Sequence, residues 1–361
     1  MERRSFLKSA GAGVAASATL ISPARAAELP ALKWRLASSF PKSLDTIFGA
    51  ADDFAKRVLE ATGGKFEIRV FPGGELVPAF SVMDAVKDGT VECGHTASYY
   101  FFGKDPTFAL DTAVPFGLTY RQFAAWTKYG GGMELLRAFF NGYNIQNFPM
   151  GNTGVQMGGW FRKEIKTVKD LEGLKFRVGG FAGQVLAKLG VVPQQIPGGD
   201  VYPSLEKGTI DAAEWIGPYD DEKLGFNKVA KYYYYPGWWE GGPNLSLYIG
   251  KDKWDSLPPE YQAIIQAAAA EADVGMMAKY DAKNPTALKK LVAGGAQLRP
   301  FPLPVLEACY KAAMDVYAEV GQTNAAFKKI HDHMTDFQKD QTLWMSVAEG
   351  NFDRFMQSRK R

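Results

Sequence analysis

Histidine and cysteine are scarce in this chain of 361 residues, which has three of the first and two of the second. The motifs of a nucleophilic serine, a phosphate-binding loop and a zinc-binding helix (Gly-x-Ser-x-Gly, Gly-x-x-x-x-Gly-Lys-Ser/Thr and His-Glu-x-x-His) are absent from the sequence. With so few bases, nucleophiles and metal ligands, an enzyme is the weaker functional class. Cys93 and Cys309 are too few for a disulfide framework, and we expect both thiols to be buried and unpaired.

A strong charge of either sign is also missing. The formal net charge is +3, but residues 1–26 hold four basic side chains against one acidic side chain, and without them the charge is zero. A basic surface for nucleic acid is therefore not supported, and no nucleic-acid partner is expected. Long apolar runs are missing as well, because no stretch after residue 26 approaches the 18 or so apolar residues of a membrane span.

The first 26 residues have the pattern of an export signal. A basic start, Arg3-Arg4-Ser5-Phe6-Leu7-Lys8, is followed by a mildly apolar stretch over 9–22 and then by Ala24-Arg25-Ala26. This order predicts cleavage after about Ala26 and a periplasmic location. The paired arginines resemble the twin-arginine type of signal, whose pathway carries folded proteins.

After this segment, strand patterns alternate with helix patterns, which favours an α/β fold with parallel βαβ units. Towards the end of the chain the helix patterns dominate. The predicted elements are a strand Lys33–Ala37, a helix Leu44–Ala61, a strand Phe66–Phe71, a helix Phe181–Leu189, a helix Pro258–Val292 that is broken at Pro285, a strand Gln297–Phe301 and helices over most of Pro304–Lys360.

One phrase of the sequence occurs twice. Pro72–Pro78 reads Pro-Gly-Gly-Glu-Leu-Val-Pro, and Pro197–Pro203 reads Pro-Gly-Gly-Asp-Val-Tyr-Pro. Each phrase follows a predicted strand and opens a short helix, which then ends in Gly89-Thr90 or in Gly208-Thr209. Glycine at these places fits the left-handed conformation that ends a helix. The repetition predicts two similarly built lobes, and a cleft between two such lobes is a common ligand site.

Polar candidates concentrate in the middle of the chain. The glycine-rich segment 151–161 contains Asn152 and Gln156, whose amides can offer oxygen atoms to a cation or donors to an anion. Further on, Lys175 and Arg177 share one face of a predicted strand, and Arg177 lies at the strand end, before a glycine turn. A guanidinium at this place can bind a carboxylate through two parallel hydrogen bonds, although a single arginine is more often part of a surface ion pair.

Two acids have unusually apolar neighbours. Glu214 precedes Trp215, and Glu240 follows two tryptophans, in each case beside turn residues. A carboxylate in such surroundings needs a partner, and carboxylate, amide and carbonyl oxygens are the ligands that hard cations prefer. Among the histidines, His95 at a strand end could line a site, although a structural role is more common. The pair His331 and His333 would face different directions on a helix, which disfavours a metal site.

The chain resembles the extracytoplasmic solute-binding subunit of TRAP (tripartite ATP-independent periplasmic) transporters over essentially its whole length. The most specific stretches are Trp34–Pro41, Gly154–Phe161, Leu174–Arg177 and Gly208–Ala212. Asn152–Trp160 and Glu214–Glu240 resemble the branch of the family that binds 2-oxo acids such as pyruvate. A related branch binds lactate with calcium.

The resemblance implies a two-lobed α/β fold of the periplasmic binding protein type. The ligand cleft would lie between the lobes, with strands crossing between them and long helices at the C-terminal end. After the signal segment, 27–150 would form most of lobe I with return segments from about 243–300, 151–242 would form lobe II, and 301–361 would form C-terminal helices that could make a homodimer. The partners implied are a small carboxylate ligand and the membrane permease of the transporter.

The resemblance also assigns roles in one site. Arg177 would pair with the substrate carboxylate, and Gln156 would contact both the substrate and a bound cation. Glu214, the main-chain carbonyl of Trp215 and Glu240 would complete the cation site, with sodium expected in preference to calcium. Trp215 would also contact the substrate, and Tyr100 and Asn152 would lie near the cleft.

Two alternatives stay open at this point. One is an exported metal-dependent enzyme of the lyase type that acts on a 2-oxo acid, for which a general base near the site would be required. The other is a binding protein of the same family that takes lactate or another 2-hydroxy acid. Catalysis is not expected, because none of the three histidines is convincingly placed as a base.

Overall fold

The structure is a computed structural model that describes residues 29–359. The predicted export signal, with its twin-arginine pattern and its cleavage position, lies outside these residues. One compact unit begins at Leu32 and carries all of the elements that follow.

The strands of this unit form two sheets. They are β1 Leu32–Ser38, β2 Phe66–Phe71, β3 Cys93–Thr96, β4 Ile145–Asn152, β5 Trp160–Phe161, β6 Lys175–Arg177, β7 Val192–Gln194, β8 Ala212–Ala213, β9 Tyr232–Tyr235, β10 Asn244–Gly250 and β11 Gln297–Pro300.

Helices cover the sheets and make up the last part of the chain. They are α1 Gly49–Ala61, α2 Val82–Lys87, α3 Ala109–Thr112, α4 Tyr120–Tyr129, α5 Gly132–Asn141, α6 Gly180–Lys188, α7 Gly198–Glu206, α8 Pro218–Leu224, α9 Lys251–Asp255, α10 Pro259–Ala293, α11 Leu303–Thr323, α12 Ala325–Val347 and α13 Glu349–Gln357. Short 3₁₀ helices occupy Ala79–Ser81, Ser98–Phe101, Pro106–Phe108, Val168–Leu171 and Phe226–Lys228.

The two sheets have related topologies. The first has the order β2-β1-β3-β10-β4, and the second has the order β7-β6-β8-β5-β9-β11. In each sheet a central strand pairs in parallel with two neighbours, β1 with β2 and β3, and β6 with β7 and β8. Antiparallel strands extend both sheets, β10 and β4 in the first and β5 and β9 in the second. The α/β class and the two-lobed fold are confirmed.

The chain crosses between the lobes where these antiparallel strands begin and end. It leaves the first sheet after β4 and enters the second at β5, and it returns from β9 to the first sheet at β10. Asn244–Gly250 pairs with strands of the first sheet, whereas Gln297–Pro300 pairs in parallel with Tyr232–Tyr235 in the second sheet. Helix α10 contacts α1 and β4 on one side and α8 on the other, so it packs against both lobes.

The repeated phrase occupies the same structural position in each lobe. Pro72–Pro78 follows β2 and leads through α2 to β3, and Pro197–Pro203 follows β7 and leads through α7 to β8. Gly89 and Gly208 end these helices with φ of 73° and 72°, a left-handed conformation that costs glycine little. The predicted repetition of local structure is confirmed.

Two predicted helices differ from the structure. The helix expected over Leu44–Ala61 begins only at Gly49, because residues 41–48 form turns. The expected break at Pro285 is wrong, since α10 runs continuously from Pro259 to Ala293. Packing outweighs the lost hydrogen bond of the proline: the side chain of Asn284 accepts a hydrogen bond from the backbone of Tyr219, and both flanking turns contain buried residues. Cys93 and Cys309 are buried and unpaired, as expected.

Candidate functional site

A small cavity lies between the two lobes. The two lobes contribute to its wall, and so do the two segments that cross between them, 153–159 and 236–243, which we call the crossing segments. The lining residues are Phe40, Ile47, Ala97, Tyr99, Tyr100, Thr153, Gln156, Arg177, Trp215, Ile216, Pro243 and Leu245. Four of the predicted site residues, Tyr100, Gln156, Arg177 and Trp215, are therefore brought together in one cavity.

Arg177 is the positively charged group of this cavity. It ends β6, and its side chain is only 2% exposed, whereas Lys175 on the same strand is exposed. Its guanidinium donates from Nε to the carbonyl of Ile196 at 3.1 Å and from Nη1 to the carbonyl of Glu214 at 3.0 Å. It also lies 5.0 Å from the ring centroid of Trp215. These contacts fix the planar group against the cavity wall.

Glu214 follows β8 and forms an ion pair with Nη1 of Arg177. Its side chain is fully buried, and burial raises the pKa of Glu214 to about 7 although the arginine acts in the opposite direction. For Arg177, burial alone would lower the pKa, but the charge of Glu214 raises it above the ordinary value. The guanidinium is therefore charged.

Glu240 and Gln156 are held side by side by the main chain. The main-chain N–H of Gln156 donates to the main-chain carbonyl of Glu240 at 3.1 Å. The main-chain N–H of Gly237 donates to the main-chain carbonyl of Gln156 at 2.8 Å. A Cβ atom at Gly237 would lie 2.7 Å from the carbonyl oxygen of Gln156, so this close approach requires glycine. Burial, followed by the charge of Glu214, raises the pKa of Glu240 well above its ordinary value.

Three acceptor oxygens of this cluster are buried without a hydrogen-bond partner: Oε1 of Gln156, Oε2 of Glu214 and Oε2 of Glu240. Desolvated acceptors are costly unless a donor or a cation satisfies them. Oxygen donors from two carboxylates and one amide match the preference of a hard cation. Among residues 29–359, no group of three or more His, Cys, Asp or Glu side chains could hold a metal, so such a site depends on the amide and on a main-chain carbonyl as well.

Aromatic and aliphatic side chains form the rest of the wall. The rings of Tyr99 and Tyr100 pack edge to face with their centroids 5.0 Å apart, and the ring centroid of Phe40 lies 6.2 Å from that of Tyr100. Burial raises the pKa of Tyr100 to about 12, so its hydroxyl group remains a neutral hydrogen-bond donor. A small anion in this cavity would be surrounded by apolar surface on one side and by Arg177 on the other.

Asn152 lies next to the cavity lining and bonds to the main chain. It is fully buried but does not line the cavity; its amide donates to the carbonyl of Gly242 at 2.9 Å and its Oδ1 accepts from the amide of Gly154 at 2.9 Å. Asn152 thereby shapes the crossing segment, and the adjacent Thr153 lines the cavity instead. Thr153 hydroxyl oxygen accepts a hydrogen bond from Nε2 of Gln156 at 3.2 Å, which orients the Gln156 amide.

Sequence reasoning missed most of the apolar wall. Phe40 and Ala97 follow β1 and β3, so their place at the carboxyl ends of parallel strands could have indicated them. Tyr99 is adjacent to Tyr100, which was predicted. Ile47, Pro243 and Leu245 carry no comparable signal, because only the packing of distant segments brings them to the cavity.

None of the three histidines lines this cavity. His95 is fully buried, lies 3.4 Å from the Ser38 hydroxyl group, and has a pKa lowered to about 3 by burial. His331 stacks on Phe327, and His333 accepts a hydrogen bond from Nε1 of Trp126 at 3.0 Å. All three positions fit structural roles. In the described part of the chain, no helix is long and apolar enough to cross a membrane.

Comparison with known proteins agrees with the fold and with the character of the cavity. The chain is 48% identical to the monocarboxylate 2-oxoacid-binding periplasmic protein of Nostoc sp., over 99% of this chain and all of that protein. A TRAP transporter solute-binding protein from Bordetella bronchiseptica has a TM-score of 0.90 and 55% identity, covering 91% of this chain and 97% of that one. Its crystal is a mixed-occupancy dimer, with copurified calcium and picolinate in one active site and an apo second site.

A second solved structure belongs to a TRAP periplasmic solute-binding protein from Pseudoalteromonas atlantica, with bound sodium and pyruvate. Its TM-score is 0.87 at 40% identity, over 91% of this chain and 99% of that one. Residues 37–324 of the present chain match the family model of the bacterial extracellular solute-binding proteins, family 7. The resemblance stated from the sequence is confirmed, and the chain belongs to the family 7 bacterial extracellular solute-binding proteins.

Proposed function

We propose that this protein captures a short 2-oxo acid, such as pyruvate, for a TRAP transporter. The observation that carries the proposal is the buried guanidinium of Arg177 in the cavity wall. Beside it lie three unpartnered buried oxygen atoms, one from the lining residue Gln156 and two from Glu214 and Glu240. The Nostoc and Pseudoalteromonas relatives support the substrate class, because one is a 2-oxoacid-binding protein and the other holds pyruvate.

Arg177 is the proposed partner of the substrate carboxylate. A small acid offers too few atoms for tight binding through apolar contact alone, since even the best tiny ligands gain at most about 1.5 kcal/mol per heavy atom. A fixed guanidinium in a cavity that excludes water supplies a strong charge-assisted contact. Tyr100 and Trp215 would close over the ligand, and Gln156 would contact both the ligand and the cation.

Gln156, Glu214, the carbonyl of Trp215 and Glu240 are the proposed cation ligands. A bound cation supplies a second positive charge that a carboxylate and a neighbouring 2-oxo or 2-hydroxy oxygen can chelate together. Sodium and calcium each occur in one of the relatives described above. We propose sodium, the cation that accompanies pyruvate in the Pseudoalteromonas relative.

Location and assembly are proposed on the same grounds. The export pattern of residues 1–26 supports a periplasmic protein that delivers its ligand to the permease subunits of the transporter. We propose lobe boundaries near residues 150 and 242, with return segments to the first lobe from about 243–300. A homodimer is supported by exposed apolar side chains on the last two helices, and light scattering that shows only monomer would exclude it. These side chains are Leu343, Trp344, Val347, Phe352 and Phe355.

The direct test is isothermal titration of pyruvate into protein that has been unfolded and refolded to remove bound ligand. We expect saturable binding at one site per chain that requires sodium or calcium in the buffer. Lactate serves as the matched competitor, because tighter binding of lactate would favour the 2-hydroxy acid alternative. Absence of heat with every 2-oxo acid of three to six carbons would exclude the substrate class. Quantitative recovery of unchanged pyruvate after long incubation distinguishes a binding protein from a lyase.

A further inference from the structure

A cluster of charges joins the two walls of the cavity on the outside of the molecule. Asp45, in the turn segment after β1, forms an ion pair with Lys223 of α8 and another with Lys279 of α10, whose Nζ lies 3.0 Å from Oδ2. Lys279 also donates to the main-chain carbonyl of Asp45 at 2.5 Å, and the hydroxyl group of Tyr219 donates to Oδ2 at 3.3 Å. We call Asp45, Tyr219, Lys223 and Lys279 the Asp45 clasp.

The position of this clasp connects it to the ligand cavity. Asp45 is two residues from Ile47, and α8 begins two residues after Ile216; Ile47 and Ile216 line the cavity from the first and the second lobe. The clasp therefore ties together the two segments that carry opposing parts of the wall. Helix α10 packs against both lobes, so Lys279 can hold Asp45 independently of Lys223.

The electrostatics of the clasp favour a closed arrangement. Partial burial alone would raise the pKa of Asp45, but Lys223 and Lys279 lower it to about 2. The carboxylate is thus ionised over the whole range in which a periplasmic protein works. The Asp45 carboxylate has two ammonium partners, whereas most other surface carboxylates that form an ion pair have one positively charged partner.

We propose that the Asp45 clasp is a latch that holds the two walls of the cavity together and sets the rate at which ligand leaves. The proposal rests on the proposed function in one respect, because a ligand must occupy the cavity for its release to be measured. Opening the cavity requires the ion pair between Asp45 and Lys223 to break. Tyr219 packs under the ammonium group of Lys223, 4.1 Å from its ring centroid, and keeps that lysine directed towards Asp45.

The kinetic test measures pyruvate dissociation by stopped-flow tryptophan fluorescence in Lys223→Met, Asp45→Asn and the double variant. We expect dissociation about two- to fivefold faster in each single variant, because a partly exposed ion pair contributes up to about a factor of five. The double variant should be no faster than the faster single variant, since Asp45→Asn already removes the ion pair that Lys223→Met removes. Adding choline chloride at a constant sodium concentration should reduce the difference in dissociation rate between each variant and the parent protein, because salt screens exposed ion pairs.

Arg57→Met is the matched control. Its guanidinium makes two hydrogen bonds with Glu271, at 2.6 and 2.7 Å, and joins α1 to α10 without contacting a residue of the cavity wall. This variant should release pyruvate at the parent rate. Dissociation from Lys223→Met and Asp45→Asn that matches the control would overturn the proposal.

A ligand-free measurement separates the clasp from the proposed function. Spin labels on Lys42→Cys and Lys228→Cys, both exposed positions, report the distance between the two clasped segments, and the two native cysteines are buried. Adding Lys223→Met should broaden the distance distribution towards longer values, and an unchanged distribution would overturn the proposal. If pyruvate gives no signal with the parent protein, the proposed function fails and this distance measurement alone decides about the clasp.

Discussion

The two lobes repeat one arrangement of strands but give the cavity very different chemistry. In the first lobe Ala37 lies opposite Gly94 in the register of β1 and β3, and in the second lobe Arg177 lies opposite Ala213 in the register of β6 and β8. Counted from the glycine that ends the preceding helix, His95 and Glu214 occupy corresponding places. One lobe thus has an alanine and a neutral histidine where the other has a buried ion pair.

The two lobes share one arrangement of strands, but the second lobe provides the charged part of the cavity wall. Ala97 and Ile216 also correspond, and both line the cavity, so the strand ends of the two lobes face each other as the repetition predicts. The first lobe supplies Phe40, Tyr99 and Tyr100. An anion would therefore lie between an apolar wall that excludes water and a charged wall that holds it, and exclusion of water strengthens the charged contacts.

The largest effect should come from removing the positive charge of the second lobe. We expect Arg177→Ala to weaken pyruvate binding by about 30- to several thousandfold, because truncating one partner of a buried charge pair costs about 2–5 kcal/mol. Arg177→Lys should be nearly as damaging, since the planar fork is lost. Titration calorimetry measures both affinities.

Lys175→Ala is the control for this variant, because Lys175 lies on the same strand but is exposed. Lys175→Ala should change the free energy of pyruvate binding by no more than about 0.5 kcal/mol. Equal losses from Lys175→Ala and Arg177→Ala would show that the arginine does not hold the ligand, and the contrast between the lobes would then have no functional meaning.

A smaller change in pyruvate affinity is expected from replacing Glu214 of the second lobe or Glu240 of a crossing segment. The direction of this change shows whether the two acids hold a cation. Glu214→Gln and Glu240→Gln each remove a negative charge, which alone should favour an anionic ligand. If the two acids hold a cation, each substitution should instead weaken binding about ten- to hundredfold, because a hydrogen bond or contact to a charged group contributes about 1.5–3 kcal/mol. The affinity is measured by calorimetry at several sodium concentrations.

Glu92→Gln provides the corresponding control in the first lobe, where Glu92 pairs with Arg35 away from the cavity. It should leave binding unchanged. Stronger pyruvate binding by Glu214→Gln, or an affinity of the parent protein that does not depend on cations, would mean that Arg177 works without a metal.

The sequence predicted the repeated parts of this fold better than the parts that join them. Local signals such as the Pro-Gly-Gly turns and Gly89 and Gly208 act within a few residues, so they identify each βαβ unit correctly. The antiparallel strands β4, β5, β9 and β10 pair across long separations in sequence, which no local pattern encodes. The helix over Pro285 continues for a similar reason, because contacts with α8 stabilise it.

The site was predicted in the same uneven way. Arg177, Gln156, Glu214 and Glu240 stood out by residue type beside glycines, but only the family resemblance grouped them into one site. The ion pair between Arg177 and Glu214 joins two neighbouring strand ends, and neither spacing nor composition indicates it. The hydrogen bonds of Asn152 with the main chain of Gly242 and Gly154 likewise join segments that are distant in the sequence, and no local pattern indicates them.

The smallest expected effect concerns the pH dependence of stability, to which one buried group of each lobe, His95 and Asp221, should contribute with opposite sign. The folded pKa of His95 is about 3, below the usual value near 6.5, so the unfolded chain binds more protons and stability is lost as pH falls below about 6.5. Asp221 in the second lobe accepts hydrogen bonds from Trp160 and Tyr233, and burial raises its pKa to about 7. There the folded chain binds more protons, so stability is lost as pH rises from about 4 to about 7.

Urea unfolding of the ligand-free protein at pH 5.5 and pH 7 tests this difference. Between these two values, His95 should add about 1 kcal/mol to the free energy of unfolding and Asp221 should remove about 1–2 kcal/mol. His95→Gln should therefore make the protein lose more stability on going to pH 7 than the parent protein does, and Asp221→Asn should make it lose less. Changes of the same sign in the two variants would contradict the assignment. Opposite changes would mean that His95 and Asp221 make contributions of opposite sign to the change in the free energy of unfolding between pH 5.5 and pH 7.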